Sequence, residues 1–382
     1  MMHFNNLIRI SAAGSGKTWG ICHDALSIAA NPLFQSRILM VTYTNKGVST
    51  IKKTIKKQNN GILSRKIIIC SWYRFLLTEL IRPYQTYICG INEIKSFDFS
   101  HMYGVGAINY GSKGQKSRYI NSHGCVLANQ ASELAYLLNK KSRGSVIHRL
   151  ELIYPYIFVD EVQDLVGSDL DILDMIMTVN IGVVCVGDNK QATYKTHNTK
   201  KRTKQSGKNI WDFFINEQQQ GKVKIEQQLV SRRFNNSICL FANAIYPNAN
   251  NITTCMVEET GHDGVFLIAR DDVASYLLYF RPVVLKYDSR TNTDDHLSFN
   301  FGQCKGETFD RILVFPNGPL IDFLLKSETL KAPEKYYVAV TRPRYSLAIV
   351  LDQLPPHIPS FSLTNVQING KAIQVMQYVP QK

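Results

Sequence analysis

Short apolar runs alternate with amphipathic stretches along most of the chain. Residues 7–10 form the first apolar run, which leads into a glycine-containing loop and then a helical pattern reaching about Ala30. A basic amphipathic helix is predicted over residues 45–58. Further apolar runs, typical of buried parallel strands, occur at residues 37–43, 66–70, 157–159 and 182–186. Strands that alternate with helices predict a parallel sheet with helices on its faces.

A second series of strand and helix patterns occupies the C-terminal half. It comprises residues 237–246, 265–269, 273–280, 283–287, 312–315, 335–340 and 347–351. Between about residues 84 and 145 the composition shifts to Gly, Ser, Asn, Lys and Tyr, with one helical stretch at 131–139. We therefore predict two α/β domains, the first of which carries an inserted subdomain.

Composition limits the class of protein. The chain has 382 residues, of which 45% are hydrophobic and 19% charged, as expected for two or three globular domains. It contains no apolar run near the roughly 18 residues needed to span a bilayer and no secretory signal pattern, so we expect a cytoplasmic protein without membrane contact. The eight cysteines form no Cys-x-x-Cys pair, which argues against a zinc site and a disulfide framework.

The net charge of +14 is unevenly distributed. Residues 25–78 contain nine Lys and Arg and no acidic residue. A second basic block lies between Asp188 and Asp212, with nothing acidic inside it, and includes Lys195, Lys200, Lys201, Arg202, Lys204 and Lys208. Such blocks indicate a polyanionic partner, although a merely solvated basic face would be the favoured explanation if they stood alone.

The loop at residues 11–18, Ser-Ala-Ala-Gly-Ser-Gly-Lys-Thr, has the pattern of a phosphate-binding loop. Small residues let backbone N–H groups approach phosphates, while Lys17 reaches the outer two phosphates and Thr18 offers a hydroxyl to Mg²⁺. Ser11 and Ala12 stand where stricter versions carry glycine, and a chance glycine turn is the alternative. The predicted nucleotide-binding residues here are Ala13, Gly14, Ser15, Gly16, Lys17 and Thr18.

Two adjacent carboxylates, Asp160 and Glu161, directly follow the apolar run at residues 156–159. A strand end holds Asp160 in place to bind Mg²⁺, and Glu161 is placed to polarise an attacking water. On a surface loop such a pair would be unremarkable. After a buried strand it indicates nucleotide hydrolysis.

Seven segments in this order resemble the motifs of superfamily 1A helicases of the UvrD/Rep type. They are residues 12–18, Val-Thr-Tyr-Thr-Asn-Lys at 41–46, Asp-Glu-Val-Gln-Asp at 160–164, Gly-Asp-Asn-Lys-Gln-Ala-Thr-Tyr at 187–194, Leu-Val-Ser-Arg-Arg at 229–233, Cys-Lys-Gly-Glu-Thr-Phe-Asp at 304–310 and Val-Ala-Val-Thr-Arg at 338–342. The resemblance implies an α/β fold with two RecA-like P-loop NTPase domains built on parallel sheets, and a small insertion subdomain in the first.

The resemblance also implies roles for residues beyond the phosphate loop. Gln191 would sense the terminal phosphate and the attacking water. Arg233 and Arg342 lie in the second series of elements, so both can neutralise the transferring phosphoryl group if the two halves close over one nucleotide. Such an arginine contributes roughly 10³ to 10⁵ in rate. Lys305 and Gly306 stand in the segment expected to contact ribose or DNA, although Glu307 and Thr308 reverse the family's order there.

Two positions depart from the family at the predicted adenine site. The family stacks adenine between an arginine after the first motif and the tyrosine of Asn-Tyr-Arg, whereas this chain has Trp19 and Arg232 there. Because adenine stacks on an indole and on a guanidinium in either order, Trp19 and Arg232 are predicted to form the base clamp.

Contacts with single-stranded DNA are expected along the second motif and nearby aromatic residues. Thr196 stands where the family has a base-stacking tryptophan, so Tyr43, Trp72 and Tyr73 are the candidate replacements, with core packing as the alternative for Trp72 and Tyr73. The predicted DNA-binding residues are Thr42, Tyr43, Asn45, Lys46, Trp72, Tyr73 and Tyr194. Lys46, Lys52, Lys53 and the 200–204 block are candidates for phosphate contacts.

The domain boundaries follow from these assignments. We predict a first RecA-like domain at 1–83 and 149–225, a 1B-like insertion at 84–148, and a second RecA-like domain at 226–382. Only 71 residues separate Arg233 from Lys305, so the family's large 2B insertion is expected to be reduced to a loop at about 288–298. Without it, duplex unwinding is expected to need a partner or dimerisation.

The predicted function is an ATP- and Mg²⁺-dependent helicase or translocase on single-stranded DNA, 3′ to 5′ by family resemblance. The alternative is a DNA-stimulated ATPase subunit that acts as a sensor or regulator of a protein partner, such as a nuclease or other effector. DNA repair and defence against phage are compatible with both. A small-molecule kinase is disfavoured because it would not need Gln191, Arg233 and Arg342.

Overall fold

The computed structural model describes residues 6–89, 94–100, 112, 115–197, 199, 201–247 and 250–379. The chain divides into two units. The first unit comprises Met1–Ser11 and Lys17–Gln227, and the second comprises Ala12–Gly16 and Gln228–Lys382. The loop residues Ala12–Gly16 therefore pack with the C-terminal half of the chain although they lie near its start.

Among the described residues, the first unit is built on a six-stranded sheet. The strands of this sheet are β1 (Asn6–Ser11), β2 (Ile38–Thr42), β3 (Ile67–Ser71), β6 (Tyr156–Val159), β7 (Gly182–Gly187) and β8 (Val223–Gln228). A separate two-stranded pair consists of β4 (Phe97–Asp98) and β5 (Val126–Leu127). The sheet order is β3-β2-β6-β7-β1-β8, while β4 pairs with β5. Strands β3, β2, β6, β7 and β1 are mutually parallel, as buried apolar runs joined by helices require.

Helices cover both faces of this sheet. They are α1 (Lys17–Ala30), α2 (Asn45–Gln58), α3 (Trp72–Phe75), α4 (Thr86–Cys89), α5 (Ala131–Lys141), α6 (Ser145–Ile153), α7 (Ser168–Met177) and α8 (Ile210–Gln219). The alternation of side chains along β2 sends Ile38 and Met40 into the cluster with α1 and α2, while Leu39 and Val41 join the opposite cluster. A strand buried on both faces explains why β2 contains only apolar residues before Thr42.

The second unit has a seven-stranded sheet and a separate two-stranded pair within the described residues. Its strands are β9 (Val230–Ser231), β10 (Thr253–Thr254), β11 (Gly264–Ala269), β12 (Val283–Lys286), β13 (Phe299–Asn300), β14 (Phe309–Phe315), β15 (Pro343–Leu351), β16 (Phe361–Ile368) and β17 (Lys371–Tyr378). The order is β13-β12-β14-β15-β11-β17-β16. The first five strands are parallel, and β17 and β16 add an antiparallel edge. Its helices are α9 (Asn236–Ile245), α10 (Val273–Phe280), α11 (Gly318–Lys326) and α12 (Pro333–Val340).

The predicted fold class, α/β with parallel sheets in each of two units, is confirmed. The antiparallel hairpin β16–β17 was not predicted, nor were β8, α7 and α8. Residues 287–298, all of them described, contain no helix or strand. No helix in the described part of the chain is long and apolar enough to cross a bilayer.

The insertion region contributes to the core of the first unit. Ala131, Leu134, Ala135 and Leu138 of α5 are buried in the same cluster as the residues of β6 and β7. Residues 90–93, 101–111 and 113–114 of the predicted insertion lie outside the described residues. The boundaries 84–148 stay a prediction.

Candidate active site

The candidate phosphate loop has the backbone conformation that its glycines predict. Gly14 and Gly16 have φ values of +75° and +86°, in the left-handed region that favours glycine. The backbone N–H of Ser15 donates to the carbonyl of Ala12 at 3.2 Å. The Ser15 Oγ is buried and has no hydrogen-bond partner among the described residues. Because an unpaired buried hydroxyl is costly, this loop fits an anionic group with acceptor oxygens, such as a phosphate.

Within the second unit, the loop is bonded to the segment that carries the predicted arginines. The N–H of Ala12 donates to the carbonyl of Gln228, and the N–H of Arg232 donates to the carbonyl of Gly14, both at 2.9 Å. A Cβ on Gly14 would stand 2.5 Å from Ser231 Oγ and 2.6 Å from the Cβ of Arg233. Only glycine therefore fits at position 14.

Thr18 and Asp160 come together in the first unit at the junction of α1 and β6. The Thr18 hydroxyl donates to Asp160 Oδ2 at 2.7 Å. Burial, followed by the charge of Glu161, raises the pKa of Asp160 to about 6, while Thr18 and Lys17 act in the opposite direction. A hydroxyl beside a carboxylate is a donor set that suits Mg²⁺, which usually takes one or two carboxylates and completes its shell with water and substrate phosphates. Thr18 and Asp160 therefore fit a magnesium ion.

Described side chains elsewhere offer no competing metal cluster: they include no group of three or more His, Cys, Asp or Glu residues that could hold an ion. Among the described cysteines, Cys22, Cys70, Cys185, Cys239 and Cys304 are buried and Cys255 is exposed. The buried thiols are core residues.

Glu161 is held by a residue that the sequence did not single out. Glu161 has a φ of +56°, unusual for a residue with a side chain. The fully buried Gln163 donates from Nε2 to Glu161 Oε2, and its Oε1 accepts from the N–H of Asp188 at 3.1 Å. Gln163 thus links the end of β6 to the end of β7. A Cβ on Gly187 would stand 2.5 Å from Gln163 Oε1, which requires glycine there.

Asp188 is the second residue that sequence reasoning missed. It is buried, and burial raises the pKa of its carboxyl group, against the effect of Lys17. Gln191 donates from Nε2 to Asp188 Oδ2 at 2.7 Å. Gln163 lies in the motif segment at 160–164 and Asp188 in the segment at 187–194. Membership of these motifs is the sequence feature that could have indicated their role. The first unit therefore brings Lys17, Thr18, Asp160, Glu161 and Gln191 to one end of its parallel sheet.

Both predicted arginines donate to Thr341 in the second unit. Arg233 donates from Nη1 to the carbonyl of Thr341 at 2.9 Å. Arg342 is 1% exposed and donates to the carbonyls of Val338 at 2.9 Å and Glu307 at 3.3 Å. A contact between Arg342 and a phosphate would require exchange of these bonds. Its role in neutralising the phosphoryl group stays a prediction.

The predicted base clamp and the Lys305 segment are also located. Trp19 lies on α1 with 46% of its side chain exposed and Lys57 Nζ 5.7 Å from its ring centroid. Arg232 is exposed in the second unit. Lys305 follows a short 3₁₀ helix, and Gly306 has a φ of +86° with open space around it. The stacking of adenine by Trp19 and Arg232 stays a prediction.

The predicted DNA-binding residues differ in accessibility. Thr42 is buried at the end of β2, whereas Asn45 and Lys46 are exposed at the start of α2. Tyr43 donates from its hydroxyl to the carbonyl of Lys195 at 3.3 Å. Tyr194 is 37% exposed.

Trp72 and Tyr73 lie inside the first unit. Trp72 is 1% exposed, and its Nε1 donates to Asp169 Oδ1 at 2.8 Å. Tyr73 is 9% exposed and donates from its hydroxyl to the carbonyl of Thr196. Trp72 occupies the core position that the alternative interpretation predicts, and it would have to leave the core to stack on a base.

The second basic block is partly neutralised by a distant residue. Arg202 Nε lies 2.8 Å from Asp171 Oδ1, and Lys201 Nζ is paired with Asp171 Oδ2. The inference that nothing acidic neutralises this block is therefore wrong for Lys201 and Arg202. Lys200 lies outside the described residues. On α2, by contrast, Lys52 and Lys53 are exposed.

A comparison with protein families identifies the first half of the chain. Residues 2–96 and 113–206 match the model of the UvrD/REP helicase N-terminal domain. This half of the chain belongs to the UvrD/REP helicase family. The matched residues contain Lys17, Thr18, Asp160, Glu161 and Gln191. The residues that cluster at the end of the parallel sheet therefore all lie within the segments that match the UvrD/REP helicase model.

Three solved structures are similar to this chain at low sequence identity. Arterivirus nonstructural protein 10, a helicase, is 14% identical with a TM-score of 0.47, and 91% of this chain and 59% of that chain are covered. The structure of its complex with DNA is 15% identical with a TM-score of 0.45, and covers 91% of this chain and 60% of that chain. The PRRSV helicase is 13% identical with a TM-score of 0.44, and 97% of this chain and 59% of that chain are covered. The chain thus spans about three fifths of the length of these proteins. No curated protein sequence matches it.

Proposed function

We propose that this protein is an ATP-dependent motor that moves along single-stranded DNA, 3′ to 5′ by family resemblance, with or without strand separation. The observation that carries the proposal is the joined arrangement at the end of the first sheet. There Thr18 contacts Asp160, and Gln163 connects Glu161 to Asp188, which in turn holds Gln191. This combination has a metal-binding pair, a base and a phosphate sensor, the parts that nucleotide hydrolysis needs.

Each residue has a role that its surroundings support. Lys17 begins α1, where a cation and the helix N-terminus together favour a phosphate group. Thr18 and Asp160 would hold Mg²⁺, and bound MgATP would supply the phosphoryl group together with a cation that neutralises its charge. Burial and Glu161 raise the pKa of Asp160 to about 6. A divalent cation bound nearby would lower this pKa again and keep the carboxylate ionised.

Glu161 is the proposed general base. Its carboxylate is oriented by the Nε2 of Gln163 and by the left-handed backbone at position 161. Held in this way, Glu161 accepts the proton of the attacking water, and Gln191 positions that water beside the terminal phosphate. Arg233 and Arg342 neutralise the transferring group when the two RecA-like domains close. Hydrolysis is thereby coupled to domain closure.

Single-stranded DNA is the proposed nucleic acid partner. The start of α2 offers the exposed side chains of Asn45 and Lys46, and Lys52 and Lys53 continue the exposed basic side of this helix. Phosphate neutralisation by such residues supplies sequence-independent affinity. Adenine is proposed to stack between Trp19 and Arg232.

A second function, a DNA-sensing ATPase subunit that regulates a protein partner such as a nuclease, is supported by one observation. Residues 288–298, where the family carries its 2B insertion, contain neither helix nor strand. A chain without this insertion has less surface with which to separate a duplex. A partner would then supply the second activity.

The deciding experiment is steady-state ATP hydrolysis by the purified chain with Mg²⁺, with and without a single-stranded oligonucleotide. We expect strong stimulation by DNA in the unaltered protein. Lys17→Ala and Glu161→Gln should lower the stimulated rate by about 100-fold or more, since a positioned base contributes roughly 10² to 10⁴. Glu259→Gln, which changes an exposed carboxylate outside the site, is the matched control and should hydrolyse ATP normally.

Three outcomes separate the proposals. Stimulation that is lost in both variants and kept in Glu259→Gln supports the motor, and movement along DNA is then measured. Hydrolysis that DNA does not stimulate contradicts the motor. Absence of hydrolysis under all conditions, with nucleotide binding retained, moves the regulatory subunit to first place.

A further inference from the structure

Asp169, near the start of α7, joins four separate segments of the first unit. It is fully buried and accepts hydrogen bonds on both carboxylate oxygens. On Oδ1 it accepts from Trp72 Nε1 at 2.8 Å and from the Ser132 hydroxyl. On Oδ2 it accepts from the N–H of Val166 at 3.0 Å and from the Thr196 hydroxyl. Donors from the end of β3, the start of α5, the loop before α7 and the segment after Gln191 thus meet at one side chain.

The arrangement requires a carboxylate. Each oxygen of Asp169 faces one group that can only donate, the indole N–H of Trp72 on one side and the backbone N–H of Val166 on the other. An asparagine in either orientation would place its amide N–H₂ against one of these donors. Asp169 therefore cannot be replaced by its closest isostere without leaving a buried donor unpaired.

One of the joined segments lies next to the predicted phosphate sensor. We call residues 192–197 the connecting segment, because it follows Gln191 directly. Its Thr196 donates from its backbone N–H to the carbonyl of Asp164 at 2.9 Å. Tyr43 and Tyr73 donate to its carbonyls at Lys195 and Thr196. The connecting segment is thus bonded both to Asp164, three residues after Glu161, and to two tyrosines of the predicted DNA-binding set.

We propose that Asp169 is a positioning residue that couples nucleic acid binding to ATP hydrolysis through the connecting segment. It holds the Thr196 end of this segment against the Trp72–Tyr73 turn. Because the carboxylate is saturated with donors and close-packed, the segment has little freedom to move alone. A displacement of Tyr43 or Tyr73 by DNA is then passed to Gln191, which lies five residues before Thr196. This inference rests on the proposed function.

The test uses paired variants of the full chain. Thr196→Val removes the hydroxyl at nearly constant volume, and Thr196→Ser retains it. Asp169→Asn removes the acceptor that both N–H donors need. We expect stimulation of ATP hydrolysis by a saturating single-stranded oligonucleotide to fall about 5- to 150-fold in Thr196→Val and Asp169→Asn, the usual range of coupling between two sites. Thr196→Ser should keep the stimulation of the unaltered protein.

Two further readouts exclude a merely structural role. Hydrolysis without DNA should stay within about twofold of the unaltered protein, and DNA affinity, measured by fluorescence anisotropy with a labelled oligonucleotide, should change less than the stimulation does. Loss of coupling with binding retained supports the inference. Equal losses of DNA-free and DNA-stimulated hydrolysis, or full stimulation in both variants, overturn it. If DNA fails to stimulate even the unaltered protein, the proposed function fails and this inference falls with it.

Discussion

Gly14 and Gly20 lie six residues apart but are subject to different constraints. Gly14 has a φ of +75°, and a Cβ there would stand 2.5 Å from Ser231 Oγ. Gly20 lies within α1 and has no neighbour within 4 Å of a built Cβ. A side chain at position 14 therefore meets both backbone strain and a clash, whereas one at position 20 meets open space.

We predict opposite effects for alanine at these two positions. Gly14→Ala should lower the free energy of unfolding by about 2 kcal/mol or more through strain and overpacking, and should weaken ATP binding. Gly20→Ala should raise it by about 0.5 to 1 kcal/mol, because alanine has less backbone freedom to lose in a helix. Chemical denaturation and nucleotide titration measure both. Equal behaviour of the two variants would contradict the close approach at Gly14.

At the scale of elements, His262 attaches α10 to the sheet of the second unit. Its ring stacks between Phe266 of β11 and Phe280 of α10, with centroid distances of 4.2 and 4.0 Å. Its Nε2 lies 2.7 Å from the hydroxyl of Tyr276, also on α10. Burial, reinforced by Arg311, lowers the pKa of His262 to about 3. The folded protein therefore keeps this ring neutral at pH values where the unfolded chain protonates it.

The stability of the folded protein therefore decreases as the pH falls. With a pKa of about 6.5 in the unfolded chain and about 3 in the folded one, the stability from His262 is fully present above pH 6.5 and is lost as the pH falls towards 3. Between pH 6.5 and 4.5 this loss is about 2 kcal/mol.

We predict that His262→Gln flattens the pH dependence of unfolding in this range by about the same amount, 2 kcal/mol. Denaturant titrations at pH 4.5, 6.5 and 8 measure it. At pH 8 position 262 is uncharged in both proteins, so the difference there isolates the lost ring stacking. Parallel curves for the two proteins across the range would show that His262 is protonated in the folded state.

At the scale of the whole molecule, the net charge differs from the positive charge that is exposed and available to contact nucleic acid. The chain carries a net charge of +14, yet Lys201 and Arg202 are paired with the buried Asp171. Lys52 and Lys53 on α2 are exposed, while Ile51 and Ile55 of the same helix are buried. The helical period thus separates a basic surface from the apolar side of α2.

We predict that Lys52→Ala lowers the slope of log affinity against log salt concentration for single-stranded DNA by about 0.7, the value expected per phosphate contact. Lys201→Ala removes the same charge from a residue already paired with Asp171, and should leave the slope unchanged. Binding isotherms between low and moderate salt provide the slopes. If Lys201→Ala changes the slope as much as Lys52→Ala does, long-range charge rather than contact determines affinity.

Much of the architecture was predictable because it depends on local periodicity. The bounds of α1, α2 and α10, and of the parallel strands β2, β6, β7 and β11, lie within a few residues of the predicted ones. The turn of the β16–β17 hairpin is visible in the sequence as Asn369-Gly370, a strong turn pair, and both residues have positive φ, 51° and 79°. Strand β8 and helix α8 had weaker patterns.

By itself, the sequence determined the phosphate loop, the carboxylate pair after β6 and the order of the motifs, because these depend on residue types at short spacing. Only the tertiary structure decided the partners of buried polar groups. Asp169 collects donors from residues 27, 37 and 97 positions away, and Asp171 neutralises cations 30 and 31 positions away. Spacing along the chain carries no information on such pairs, because chain topology and the need to satisfy each buried group select them during packing.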